Sequence, residues 1–113
     1  MIKIISKNID ALLQHLNQNY DTGQNVTIHI LEESDSVQAP NGEIGFGVYI
    51  PENAEIYVAA ELPEEITLST IAHEYKHFIQ FSEGKDFDED EAEKFAEEIM
   101  EEIFGKAEGR APE

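Results

Sequence analysis

His73-Glu74-Tyr75-Lys76-His77 places two histidines four residues apart, with a glutamate directly after the first. On a helix, side chains at i and i+4 share a face one turn apart, so both imidazoles reach a single tetrahedral metal ion, and zinc suits such a pair. Glu74 would lie beside that ion, where a carboxylate can take a proton from zinc-bound water and later hand it to a leaving amine. Zinc would supply the rest by lowering the pKa of the water to about 7 and polarising a carbonyl. The same five residues could instead be surface histidines of an ordinary amphipathic helix, so the surroundings have to decide.

A catalytic zinc takes three protein ligands and keeps one open position. The chain has no cysteine, so the third ligand must be His, Asp or Glu. His15 and His29 fall on earlier segments. Downstream, Asp88, Glu89, Asp90, Glu91 and Glu93 crowd the start of a helical pattern whose core arc is Ala92, Phe95, Ala96, Ile99 and Ile103. At about 100° per residue, Glu89 falls about 50° from the middle of that arc, Asp88 on its other shoulder and Glu91 about 110° away. A ligand must face the helix carrying the histidines, so Glu89 is the better placed and Glu91 the alternative. The other acids read as a solvated face.

These residues need elements to hold them. Ile71, Ala72, Tyr75, Phe78 and Ile79 form one apolar arc of the histidine helix, and His73 and His77 point away from it, near Thr70 and Phe81, toward a cleft or solvent. The helix starts at about 64 or 67, behind Pro63-Glu64-Glu65, whose acids suit the positive end of the helix dipole. It runs to 82 and breaks at Ser82-Glu83-Gly84-Lys85. Asp86 or Asp88 caps the last helix, which reaches about 104 and ends at Gly105. Earlier, Ile9, Leu12, Leu13 and Leu16 recur with helical spacing, giving a helix over 7–20 capped by Asn8 or Ser6. Val26 to Leu31 alternates as a strand, 32–42 is a polar loop, and Ile44 to Ile50 is a second strand in which Gly45 and Gly47 mark a bulge or a close backbone approach. Pro51-Glu52-Asn53-Ala54 turns the chain into a third strand, Glu55 to Ala60, as an antiparallel hairpin. The expected class is α+β: an N-terminal helix, a small three-stranded and mainly antiparallel sheet, the histidine helix and a C-terminal glutamate helix. Residues 1–104 form one domain and 105–113 a frayed tail.

Composition limits the partners. The 113 residues carry 25 acids against seven Lys and Arg, a formal net charge of -18. Eleven of the acids lie in residues 83–104, against Lys85 and Lys94. Contacts to phosphate need clustered Lys and Arg, so neither direct nucleic-acid binding nor an anionic membrane surface is expected. The residues from Met1 to Lys7 lack the apolar run of a signal peptide, and no segment approaches the roughly 20 apolar residues of a span, so the expected location is the cytoplasm.

Thr67 to His77, followed by Glu89-Asp90-Glu91-Ala92-Glu93-Lys94-Phe95-Ala96, resembles the gluzincin class of zinc metallopeptidases, in particular the ImmA/IrrE-type peptidases and the single-domain minigluzincins. In those families a pattern like E-x-x-A-(D/N)-x-x-A supplies the third zinc ligand. The resemblance therefore implies a zincin-like fold with zinc held by His73, His77 and Glu89, and Glu74 as general base. Glu93 stands where the family has Asp or Asn supporting the histidine helix, which is a departure. The acidic run Glu97-Glu98 after Phe95-Ala96 is another. The resemblance also implies that a strand bordering the cleft binds an extended peptide by strand addition. The 55–60 strand, just before the histidine helix, is the expected one, with Ala59 and Ala60 leaving room for substrate side chains and Tyr57 a core aromatic.

The expected activity is thus hydrolysis of peptide bonds in protein or peptide substrates, with an acidic rim favouring basic segments. Tyr49, Tyr57, Tyr75 and His29 are the candidates for stabilising an oxyanion; Tyr75 lies on the apolar arc and is better read as packing. Two other functions compete. The chain could be a non-catalytic acidic protein on a peptidase fold, an inhibitor that mimics nucleic acid, or a latent peptidase whose tail 105–113 or N-terminal segment occupies the cleft.

Overall fold

Three helices and five strands follow one another in the computed structural model, which describes residues 7–105. Their order is α1 (Lys7–Asn19), β1 (Thr27–Leu31), β2 (Val37–Gln38), β3 (Ile44–Gly45), β4 (Gly47–Ile50), β5 (Glu55–Ala59), α2 (Glu64–Ser82) and α3 (Glu89–Phe104). The α+β class expected from the periodicities is what forms. None of the described helices is long and apolar enough to cross a membrane.

The sheet departs from expectation. β5 is its central strand, in the order β1-β5-β4. The hairpin reading of β4 and β5 is right: they pair antiparallel, Gly47 opposite Val58 and Ile50 opposite Glu55. β1, however, runs parallel to β5, from Thr27 beside Glu55 to Leu31 beside Ala59. The sheet is therefore mixed rather than mainly antiparallel. The expected 44–50 strand also divides at Phe46, because Ile44 and Gly45 pair instead with Gln38 and Val37 of the supposed polar loop, as a second, two-stranded sheet.

The helices bury the stripes that their spacing marked. α1 buries Ile9, Leu12 and Leu16. Asn8 does not cap it: Asn8 lies inside the helix and its amide donates to the Glu64 carboxylate at 3.1 Å, tying α1 to the start of α2. The other cap candidate, Ser6, lies outside the described residues, as does the expected tail beyond Gly105. α2 begins at Glu64, with Pro63 in the preceding position and Glu64 and Glu65 in its first turn. Its arc Ile71, Ala72, Tyr75, Phe78 and Ile79 is wholly buried, against Ile56 and Val58 of β5 and Phe95, Ala96 and Ile99 of α3. Leu12, Ile56, Ile71 and Ile99 have no exposed surface, and each such side chain contributes about 1.5–3 kcal/mol of burial. Gly84, with φ +74°, turns the chain between α2 and α3. Asp88, not Asp86, caps α3, its side chain accepting from the Glu91 N–H at 3.1 Å.

Candidate metal centre

α2 carries His73 and His77 one turn apart, their ring centroids 5.0 Å from each other and their planes nearly perpendicular. The Asp88 cap fixes the first turn of α3, and Glu89, the first residue of that helix, reaches across to both histidines. Its two carboxylate oxygens meet the two Nε2 atoms separately, Oε1 at 2.9 Å from His73 and Oε2 at 3.2 Å from His77. One donor atom from each of the three residues falls within 4.8 Å of the others, and this is the one such group of His, Asp or Glu among the described residues. Burial works against ionisation of Glu89, but hydrogen bonding from His73 and the charges of both histidines outweigh it and hold the carboxyl below its ordinary value.

The far ring nitrogens are also engaged. His77 Nδ1 lies 2.9 Å from Gln80 Oε1, and His73 Nδ1 lies 3.5 Å from the Glu93 carboxylate. Two imidazoles, each with one nitrogen partnered and the other turned to a shared carboxylate, form a donor set that fits zinc. The wheel reading turned both histidines toward a cleft or solvent, and for His77 it is a cleft, the larger of two recesses beside Glu74. That residue is only 5% exposed, because Phe87 packs on it at 5.1 Å between ring centroids. Glu91, the alternative third ligand, is not in the cluster: its carboxylate accepts from Gln80 Nε2 at 2.7 Å.

Glu74 stands at the junction of two recesses. One, of about 500 Å³, runs from Glu74, His77 and Glu89 past Tyr49 and Phe87 to Ile44. The other, of about 450 Å³, has Phe46, Ile66, Thr70, His73 and Glu93 in its walls. Among the described residues, neither is lined by a Lys or an Arg. Burial raises the Glu74 pKa to about 7; the His77 charge and the Tyr49 backbone N–H pull it down, while Glu89 pushes it up. A carboxyl poised there can both accept and return a proton near neutrality.

β4 brings this junction close to α2 because residue 47 is a glycine. A Cβ there would fall 2.6 Å from Thr70 Cγ2, 3.2 Å from Glu74 Cγ and 3.2 Å from the Tyr57 carbonyl oxygen. β4, not the 55–60 strand, borders the cleft and forms the sheet edge. β5 cannot take an added strand, since β1 and β4 flank it on both sides. The Ala59 N–H donates to the Phe46 carbonyl, so by antiparallel alternation the backbone groups of Gly47 and Tyr49 point away from β5, and the Tyr49 N–H meets the Glu74 carboxylate there.

The remaining candidates separate by position. The Tyr75 hydroxyl donates to the Tyr20 carbonyl at 3.0 Å, a packing role. Tyr57 and His29 stack at 4.3 Å between centroids and both meet Glu55. They lie on the sheet face opposite the buried Ile56 and Val58, so Tyr57 is not the core aromatic expected of it. Tyr49 alone of the four lines the larger recess; burial and the Glu52 charge keep its hydroxyl protonated. Two residues with a part in the site escaped the sequence reading, Gln80 and Phe87. Gln80 offered one signal, an amide three residues beyond His77 inside an otherwise apolar run, where i and i+3 side chains meet.

The chain matches no family model, no curated protein and no solved structure.

Proposed function

We propose that the chain is a small zinc-dependent endopeptidase of zincin-like build, with His73, His77 and Glu89 holding zinc and Glu74 as general base. The observation that carries this reading is the convergence of both Nε2 atoms on the Glu89 carboxylate beside a carboxyl titrating near neutrality. The gluzincin-like spacing of the same residues supports it. Bound zinc supplies Lewis-acid polarisation of the scissile carbonyl and acidifies water. Glu74 takes the proton of the attacking water and returns it to the departing amine. Peptide lies along β4 in extended form, hydrogen-bonding to Gly47 and to the Tyr49 carbonyl, with a recess on either side of Glu74 for the flanking side chains. Tyr49 is the hydroxyl donor nearest this path. The apolar walls at Ile44, Phe46 and Phe87 are themselves strongly exposed, and the described lining carries Glu43, Glu52 and Glu93 but no Lys or Arg. Substrates joining apolar and basic residues complement such a groove.

Elemental analysis of parent and His77→Ala, with cleavage of an unfolded protein by parent and Glu74→Gln, tests this. Zinc near one per chain in the parent is expected, with loss in His77→Ala. Glu74→Gln should keep the metal and lose at least about 100-fold in rate, the usual worth of a general base. Zinc-free parent protein, or undiminished cleavage by Glu74→Gln, overturns the reading.

A second reading, the non-catalytic acidic protein, draws on the exposed acids Asp90, Glu97, Glu98, Glu101 and Glu102 of α3. It leaves the histidine–glutamate cluster without a purpose.

A further inference from the structure

Gln80 has no exposed surface, and every hydrogen-bonding group of its amide is used. Oε1 lies 2.9 Å from His77 Nδ1 and accepts from the Asp88 N–H at 3.2 Å. Nε2 donates to the Asp88 carbonyl at 3.2 Å and to Glu91 Oε1 at 2.7 Å. A buried amide is costly unless satisfied in this way.

The orientation of the amide follows from its neighbours. A backbone N–H can only donate and a carbonyl can only accept, so the oxygen of Gln80 must face the Asp88 N–H and the nitrogen must face the Asp88 carbonyl. That oxygen also faces His77 Nδ1 and has no hydrogen to offer. Nδ1 must therefore carry a proton, and Nε2, which faces the Glu89 carboxylate at 3.2 Å, is the nitrogen that a metal would take. The same amide grips both backbone groups of Asp88, the residue that caps α3 and immediately precedes Glu89.

We propose that Gln80 is a positioning residue that prepares two of the three metal ligands at once: it sets the tautomer of His77 and fixes the α3 start from which Glu89 projects. This rests on the zinc-site reading only for what the prepared atoms bind. The internal comparison is His73, whose Nδ1 faces Glu93 instead. Loss of the Gln80 amide should disturb His77 and spare the His73 ring.

The test uses metal-free protein in a Glu89→Ala background, where no carboxylate competes for the ring proton at Nε2, with ¹⁵N-labelled histidine held well above the ordinary histidine pKa; zinc competition against a chromophoric chelator is run with Glu89 in place. With Gln80 present, His77 should carry its proton on Nδ1. Gln80→Met keeps the volume and the apolar contacts but no amide. In that variant His77 should shift toward the Nε2–H form with His73 unchanged, and with Glu89 in place zinc affinity should be about 10–100-fold weaker, the usual loss when a ligand's outer partner goes. The exchange Gln80→Glu with Glu91→Gln gives up the bond to the Asp88 carbonyl but restores an acceptor for His77, and should return the Nδ1–H form. A His77 protonated on Nε2 while Gln80 is present overturns the proposal, as does a Gln80→Met protein with unchanged tautomer and unchanged affinity. If Gln80→Met does not fold, the exchange variant decides: an Nε2–H ring there also overturns it. A protein that binds no zinc with Glu89 in place but shows the Nδ1–H ring removes the zinc reading and leaves the positioning role of Gln80 standing.

Discussion

Glu74 illustrates how much the environment of a single carboxyl matters. It is held near pH 7 chiefly by burial, with Glu89 adding to the rise, so metal-free folded protein keeps a proton there that the unfolded chain releases near the ordinary glutamate value. An acid whose pKa is raised on folding adds stability at low pH, and that share is lost as pH rises from the unfolded value toward the folded one. Glu74→Gln mimics the protonated form at every pH. In metal-free protein, the stability of Glu74→Gln relative to parent should therefore grow as pH rises from about 4.5 to about 7 and level off above. Urea unfolding midpoints across that range check it, and a pH-independent difference would show that Glu74 ionises normally. Bound zinc places two positive charges beside the carboxyl and should shrink the effect.

At the scale of elements, the site exists because β4 passes directly over α2. Gly47 makes this approach, and Thr70 Cγ2 is the atom that a methyl group there would strike first. Gly47→Ala should cost about 1–3 kcal/mol as an overpacked contact and displace Glu74. Thr70→Ser removes the obstructing methyl but keeps the hydroxyl that bonds to the Ile66 carbonyl, so the pair Gly47→Ala with Thr70→Ser should recover part of the loss. The contacts with Glu74 and Tyr57 remain and limit the recovery. Thermal melts of the three proteins check this; equal destabilisation in the single and double variants would remove Thr70 as the cause. The sequence marked Gly47 as a point of close approach, and the helical arcs of α1, α2 and α3 were readable because periodicity is local. Glu89 was readable too, from its wheel position ahead of Ala92 and Phe95. What stayed hidden depends on partners distant in sequence. The parallel pairing of β1 with β5 leaves no local mark that tells it from an antiparallel one, and Val37–Gln38 is too short to show alternation. The role of Gln80 arises only where the end of α2 meets the first turn of α3.

For the whole molecule, the formal charge of -18 becomes specific once it is placed. Among the described residues, the groove on both sides of Glu74 is lined by Glu43, Glu52 and Glu93 and by no Lys or Arg, while Ile44, Phe46 and Phe87 give it apolar walls. A peptide that presents apolar and basic residues gains from both features; an acidic peptide of equal apolar content gains from one and is repelled by the other. Zinc-loaded Glu74→Gln, which should bind without cutting, separates the contributions. Its affinity for a Lys-bearing peptide should exceed that for the Glu-bearing counterpart by about tenfold or more at low salt, a difference of about 1.4 kcal/mol. The gap should narrow as salt shortens the Debye length from about 30 Å at 0.01 M to about 10 Å at 0.1 M. Fluorescence anisotropy at several salt concentrations measures both. An acidic mimic of nucleic acid would behave otherwise: it would bind a basic folded partner as tightly without zinc as with it, because the charge it would use is that of the exposed face of α3, away from the metal ligands. Zinc dependence combined with salt dependence is thus the signature of a peptide held in the cleft, and salt dependence alone points to the surface of α3.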